Sequence, residues 1–235
     1  MGEYLKKFNS HSEYETFKQS QQYIEPNVSV CVGEHDIHYN PIAAVVHEYV
    51  DLGLPSGTLW ATENIKDGNG NELFFAWGEV SGYTSGQVGT DKNFNWSDYK
   101  FGTEYNQTKY NDTDGKTVLE TADDAATANW GSKWKMPTKE QFEELTANTT
   151  TAWTQVDGIN GLLCTSTANG NTLFFPGVGY AENGRVYSVG SYGRCWFNSL
   201  YDYTFAGGVL SFEGHHCGVG GNDRSSGYSV RPVRA

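Results

Sequence analysis

The chain has 235 residues, of which 37% are hydrophobic, and its 16 basic and 28 acidic residues give a net charge of −12. Nucleic acids and anionic membrane surfaces attract clustered Lys and Arg, whereas the basic residues here are scattered, so neither partner is expected. No apolar run reaches the roughly 18 residues of a spanning helix, so membrane insertion is not expected either. The 15 Tyr, 12 Phe and 28 Gly indicate short strands, many turns and aromatic packing.

Residues 1–44 are predicted to form a small appendage. The S-x-x-E pattern that begins at Ser10 predicts a short helix through Lys18. Segments 28–32 and 37–39 are predicted to be short strands. A segment this small cannot form its own hydrophobic core. We therefore expect it to serve in attachment or oligomerisation by packing on another chain or on the main domain. The first residues show no apolar region typical of a secretory signal.

Residues 45–235 are predicted to form one α+β domain. A strand is expected over 48–55 and an apolar segment over 74–78, followed by a long ordered loop over 81–116. Acidic residues at its start and Gly131 after its end bound a predicted helix over 123–130. A T-x-x-Q capping box at Thr138 begins a second helix, whose apolar face holds Phe142 and Leu145. Strands then follow, at 151–156, 162–167, 172–175, 186–189, 195–199, 208–212 and 228–233.

No motif in the sequence supports catalysis, a cofactor or a metal. The G-x-S-x-G, P-loop and dinucleotide-binding patterns are not found in a strand–helix context. The E-P-N tripeptide at Glu25 has no W-N-D partner, so a calcium site is not predicted there. His215 and Cys217 lie on one face of a strand, but no third ligand accompanies them. The four cysteines, Cys31, Cys164, Cys195 and Cys217, match no zinc or redox spacing and are expected to be free thiols.

A set of segments in chain order resembles one known family. These are V-D-L-G-L-P-S-G-T-L-W-A-T from Val50, F-A-W-G-E from Phe75, D-D-A-A from Asp123, W-K-M-P-T from Trp134 and S-V-R-P-V from Ser229. Together they resemble the Fibrobacter succinogenes major paralogous domain over residues 48–233. The resemblance implies a C-type-lectin-like fold of the formylglycine-generating-enzyme type. That fold also serves the variable proteins of diversity-generating retroelements, among them phage tail proteins that bind host surfaces.

In those variable proteins, mutagenesis targets adenines, mostly in AAY codons, of a C-terminal region. Mutating those adenines cannot produce Lys, Glu, Gln, Met or Trp. Residues 1–196 contain 42 of these five types, whereas residues 197–235 contain one, Glu213, where the upstream frequency would give about eight. The resemblance therefore implies a variable region over about 194–229. Its predicted ligand contacts are Arg194, Phe197, Tyr201, Asp202, Tyr203, Ser211, His215, His216, Asn222, Asp223, Ser225, Ser226 and Tyr228.

The neighbouring residues Trp196, Leu210, Phe212, Arg231 and Pro232 are predicted to be scaffold. They lie among the predicted contacts, and we expect them to form a rigid framework that carries the variable side chains, as a rigid core carries functional loops.

The resemblance implies a receptor-binding protein of a phage virion that recognises a host-surface protein or glycan at the tail tip. Segments within residues 26–40 resemble leaders of Bacteroidetes phage structural proteins. The expected partners of residues 1–44 are therefore other virion or tail proteins, or further copies of the chain, as in a homotrimer. One alternative is a bacterial cell-surface adhesin of the same fold, which would be extracellular. The other is a formylglycine-type oxidase, although Cys195 and Cys217 stand where variable proteins place diversified residues.

Overall fold

The computed structural model describes residues 4–7, 29–30, 36–39 and 47–234, and the chain divides into two units, Met1–His47 and Glu48–Ala235. In the first unit, strands β1 (Tyr4–Lys7), β2 (Ser29–Val30) and β3 (Asp36–Tyr39) form an antiparallel sheet in the order β1-β3-β2. Strands β2 and β3 fall within or beside the two segments predicted as strands, while β1 was not predicted. The helix predicted from Ser10 and the E-P-N tripeptide lie outside the described residues.

The second unit combines two helices with short antiparallel strands, which confirms the α+β class. Its helices and strands are β4 (Tyr49–Asp51), β5 (Leu59–Ala61), β6 (Gly102–Thr103), β7 (Asn106–Gln107), α1 (Ala125–Trp130), α2 (Lys139–Ala147), β8 (Thr149–Val156), β9 (Ile159–Ser166), β10 (Thr172–Pro176), β11 (Tyr180–Glu182), β12 (Arg185–Tyr187), β13 (Tyr192–Tyr201), β14 (Tyr203–Glu213), β15 (His216–Asp223) and β16 (Val233–Arg234). They pair as sheets β4-β5-β16, β6-β7, β8-β9-β10, β11-β12 and β13-β14-β15. No helix in the described part of the chain is long and apolar enough to cross a membrane.

Both predicted helices are present, and each is capped by the side chain of the residue that precedes it. At α2, the Thr138 side chain accepts a hydrogen bond from the Gln141 N–H, and the Gln141 side chain accepts one from the Thr138 N–H. At α1, the Asp124 carboxylate accepts from the Thr127 N–H at 2.9 Å. Because Asp124 serves as the cap, the α-helix begins at residue 125 and a 3-10 turn, Thr121–Asp123, precedes it.

The sheet β13-β14-β15 lies between two clusters of buried side chains. Trp196 and Val209 project into one cluster, and Phe197, Leu210 and Phe212 project into the other. A sheet that is buried on both faces has no alternation of polar and apolar residues. This explains why β13 and β14 are about twice as long as the segments predicted for them, 195–199 and 208–212.

Among the C-terminal strands, one was absent from the predicted set and one was predicted wrongly. The glycine-rich segment His216–Asp223 is a strand, paired along its length with β14, although such composition usually indicates a loop. Residues 228–232, predicted to be a strand, instead cross the interior and make single bridges, such as Tyr228 with Phe75. Only Val233–Arg234 of that region is a strand.

The loop over 81–116 is ordered by buried polar contacts, as predicted. The Lys92 ammonium lies 2.9 Å from a carboxylate oxygen of Glu79, and both side chains are almost fully buried. The Tyr99 hydroxyl donates to the carbonyl oxygen of Trp77 at 2.7 Å. A short hairpin, β6-β7, is the only regular pairing of named strands within this part of the described chain.

Candidate functional site

The predicted ligand contacts are distributed along the sheet β13-β14-β15 and do not form one surface. The β13–β14 turn brings Tyr201 opposite Tyr203, and the β14–β15 turn brings Glu213 opposite His216. Tyr203 and Glu213 are the first and last residues of β14, so at about 3.3 Å per residue they lie about 33 Å apart. The sheet therefore presents two separate exposed regions, one at each end.

At the first end, the side chains around the β13–β14 turn enclose a shallow cavity of about 360 Å³, which we call the hairpin pocket. Five of the predicted contacts line it, and Phe205 and Ala206 complete it with Gly221. The five are Tyr201, Asp202, Tyr203, Asn222 and Asp223. Tyr203 is 64% exposed.

The aromatic wall of the hairpin pocket consists of two stacked rings. Tyr203 and Phe205 lie two residues apart on β14, with ring centroids 5.3 Å apart and planes within 8° of parallel. On the opposite strand, the Tyr201 ring lies over Gly221, where a Cβ would come within 2.8 Å of the ring. Gly221 therefore lets an aromatic side chain approach the backbone of β15. Phe205 was not predicted as a contact.

The loop over 81–116 lies beside the hairpin pocket, which sequence reasoning missed. The turn of hairpin β6-β7 carries Glu104 and Tyr105, and Tyr105 is 90% exposed. The Thr204 hydroxyl donates to the Gln107 side-chain oxygen at 3.1 Å, which joins this hairpin to β14. An isolated Tyr in a polar loop gives no sequence signal of a site, because only the fold brings residues 104–107 beside residue 204.

The electrostatics of the hairpin pocket are acidic. Burial, and then the charge of Glu104, raise the pKa of Asp223 above its ordinary value. In the described part of the chain, no Lys, Arg or His forms an ion pair with Glu104, Asp202 or Asp223. The pocket and its border thus combine exposed and half-buried aromatic rings with carboxylates that have no counterion among the described residues.

At the other end of the sheet, His215 and His216 are exposed in the β14–β15 turn. With Trp153 and Cys217 they line a cavity of about 210 Å³. Within residues 47–234 and the short strands of the first unit, no group of three or more His, Cys, Asp or Glu side chains is arranged to hold a metal ion.

Four predicted contacts are corrected by the structure, because they are buried. Phe197 is fully buried and occupies the space left by Gly208, where a Cβ would lie 1.8 Å from its ring. Tyr228 is fully buried against Trp196, with ring centroids 4.3 Å apart. Ser225 and Ser226 are also buried. None of these four side chains is exposed, so none can belong to an exposed ligand surface.

Two further predicted contacts, Arg194 and Ser211, are half-buried and pair across β13 and β14. The Arg194 guanidinium donates to the hydroxyl oxygens of Tyr228 at 2.7 Å and Tyr192 at 3.0 Å. It also lies 4.9 Å from the centroid of the Tyr180 ring. Arg194 is therefore engaged by three tyrosines within the protein.

Arg224 follows Asp223 of the hairpin pocket in the chain and was not predicted as a functional residue. Its fully buried guanidinium donates to the carbonyl oxygens of Thr204 at 2.7 Å, Lys109 at 2.9 Å and Tyr110 at 3.1 Å. It also donates to the Tyr99 hydroxyl at 2.9 Å. One side chain thus ties the loop over 81–116 to β14, directly beside Asp223.

The predicted scaffold residues, Trp196, Leu210, Phe212, Arg231 and Pro232, are all buried. The Arg231 guanidinium donates to the Asn64 side chain at 2.8 Å and to the carbonyl oxygens of Phe174 at 2.9 Å and Ala61 at 3.1 Å. This second buried arginine joins β5, β10 and the last segment of the chain.

The chain matches no known family profile, no curated protein and no solved structure. A functional proposal for this chain therefore rests on its sequence, its fold and the geometry of the hairpin pocket.

Proposed function

We propose that this chain is a non-catalytic receptor-binding protein with a C-type-lectin-like fold. It recognises a protein or glycan on a host surface through the hairpin pocket and Tyr105, at the tip of a phage tail. The observation that carries this proposal is the composition of the pocket. Its aromatic and polar side chains, at 201–203, 205 and 222–223, are exposed or half-buried, and they come from the segment 197–235 that contains only Glu213 of the five excluded residue types.

The construction of the pocket suits recognition. Tyrosines give a large contact area with few rotatable bonds, and Asn and Asp offer adaptable hydrogen bonds, as in antibody loops. The backbone beneath them is held by the β13-β14-β15 ladder and by Arg224. Side chains at the rim can therefore differ while the backbone that presents them keeps its position.

The raised thiol pKa values of the three described cysteines favour a non-catalytic role over a formylglycine-type oxidase. Burial raises the pKa of the Cys164 and Cys195 thiols to about 12 and that of Cys217 to about 11. The thiolate is the reactive form of cysteine, so these side chains remain protonated at physiological pH. A reactive thiol pair requires the opposite environment, with nearby positive charge and partial exposure.

The test is adsorption of the purified full chain to susceptible host cells. Tyr203→Ala and Tyr105→Ala are each expected to weaken adsorption, and at least one should cost about 2 kcal/mol or more, as a central interface aromatic does. The matched control is Tyr187→Ala, which removes an exposed tyrosine from β12, outside the pocket. Wild-type adsorption by both pocket variants, or an equal loss in the control, would refute the proposal.

A further inference from the structure

A third cavity, of about 650 Å³, lies between α2, β16 and the segment 132–136. We call it the basic pocket, because three cationic side chains line it: Lys133, Lys135 and Arg234. The backbone of Lys135 is fixed there, since its N–H and carbonyl both bond to Val233. It shares no residue with the hairpin pocket.

Among the residues that the structure describes, no carboxylate balances the charge of the basic pocket. No carboxylate lines it, and in the described part of the chain no acidic side chain forms an ion pair with these three cations. This is unusual in a protein with a net charge of −12. Three like charges around one cavity repel each other, so an anion bound among them would be stabilised.

One donor in the wall of the pocket lacks an acceptor. The Arg234 Nε is buried and has no hydrogen-bond partner, a condition that costs free energy in a folded protein. The guanidinium is held by ring contacts, 4.7 Å from the Tyr49 centroid and 5.6 Å from the Trp134 centroid. These ring contacts hold the positive charge of the guanidinium at the wall of the pocket, where it attracts an anion.

Neutral polar side chains also line the basic pocket. Thr138 and Gln141 bond to each other in the capping box of α2. Ser132 and Asn198 also line the cavity. The main chain of Asn198 bonds to Leu119 and Pro137, whereas neither side chain makes a hydrogen bond with another described residue. A hydroxyl and an amide are therefore available beside the cations. The N-terminus of α2 adds a partial positive charge at the same wall.

We propose that the basic pocket binds a phosphate or sulfate group carried on a saccharide. The three cations suit the oxyanion, while Ser132 and Asn198 suit the hydroxyl groups of a sugar. A cavity of about 650 Å³ also has far more room than a lone oxyanion fills. This inference is independent of adsorption through the hairpin pocket, so either proposal can fail without the other.

The test is titration calorimetry of the full chain at low salt with glucose 6-phosphate, inorganic phosphate and glucose. Glucose 6-phosphate should bind more tightly than inorganic phosphate, and glucose should not bind. Lys135→Gln and Lys133→Gln should each weaken glucose 6-phosphate binding about tenfold, as expected for the loss of a charge-assisted hydrogen bond. Lys66→Gln makes the same charge change at a lysine outside the pocket, paired with Glu63, and should have no effect.

Three results would overturn the proposal. The first is no heat of binding for glucose 6-phosphate with the wild-type chain. The second is an equal loss in the Lys66→Gln control, which would show general charge attraction. The third is equal affinity for inorganic phosphate, which would show a free-ion site without the saccharide. The thermal unfolding midpoint of each ligand-free variant should match that of the wild type, so that lost binding reports on the pocket.

Discussion

At the scale of single residues, two aromatic side chains of the C-terminal sheet lie in opposite environments. Phe197 is buried against Gly208, and Tyr203 is exposed at the hairpin pocket. Both belong to residues 194–229 and both are aromatic, so composition does not separate them. Their separation into core and surface makes stability and recognition independently testable.

Phe197→Ala is expected to lower the free energy of unfolding by about 3–5 kcal/mol, because it empties a fully buried site. Tyr203→Ala is expected to change it by no more than about 0.5 kcal/mol, because the side chain is largely exposed. Urea unfolding of both variants measures the two values. A large loss in Tyr203→Ala would show that this ring stabilises the fold and is not only a contact surface.

Arg224 is expected to be intolerant even of lysine. A lysine ammonium cannot reproduce the four hydrogen bonds of the guanidinium, so buried carbonyl oxygens would lose their donors. Arg224→Lys should lower the free energy of unfolding by about 3 kcal/mol or more. The control is Arg185→Lys at an exposed position of β12, which should leave it unchanged. Equal urea midpoints for the two variants would contradict this role.

Asp223 is expected to destabilise the folded state at neutral pH. Burial and the charge of Glu104 raise its pKa, so the folded chain holds the proton more tightly than the unfolded chain. The cost of ionisation therefore appears as pH rises through the unfolded pKa and is complete above the folded pKa. Asp223→Asn should raise the free energy of unfolding at pH 7 and change it little at pH 3. A gain of the same size at both pH values would contradict this reasoning.

At the scale of elements, the loop over 81–116 depends on a buried carboxylate outside it. Asp123 accepts hydrogen bonds from the Lys100 ammonium at 2.8 Å and the Tyr110 hydroxyl at 2.7 Å, and also from Lys109. Burial acts to raise the pKa of Asp123, but these hydrogen bonds outweigh it and the pKa is lowered. Asp123 thereby fastens the loop that carries Tyr105 to the start of α1.

Asp123→Asn is expected to destabilise the protein at pH 7 and to have a smaller effect in acid. A lowered folded pKa contributes stability above the unfolded pKa, about 4, and that stability is lost as pH falls through the folded value. The sign is opposite to that for Asp223. Hydrogen exchange at pH 7 should also show faster exchange over residues 100–110. Unchanged exchange there would show that other contacts hold the loop.

At the scale of the whole molecule, residues 1–44 are proposed to join the chain to its assembly. Strands β1, β2 and β3 have four, two and four residues, and a sheet so small buries little apolar area by itself. We expect the full chain to be oligomeric and a chain lacking residues 1–44 to be monomeric. Light scattering measures both masses. A mass of 26.0 kDa for the full chain would refute oligomerisation through this segment.

The sequence by itself determined several local features of the second unit. The α2 capping box could be predicted because Thr138 and Gln141 lie three residues apart and their hydrogen bonds are local. The ordered loop over 81–116 could be predicted from composition, and the scaffold residues, such as Trp196 and Arg231, from the family resemblance. The α+β class followed from the order of helices and strands.

Only the tertiary structure decided which residues reach the surface. Because β13 and β14 are buried on both faces, the alternation that marks an exposed face is absent, and Phe197 could not be assigned to the interior. Tyr228 is buried because its segment crosses the interior, where its ring packs on Trp196. β15 is a strand because β14 pairs with it, whereas its glycines favour a loop. The hairpin pocket and Tyr105 come together only through the fold. Tyr105 and Tyr203 are almost 100 residues apart, and Arg224 joins their segments through buried contacts that no local pattern encodes.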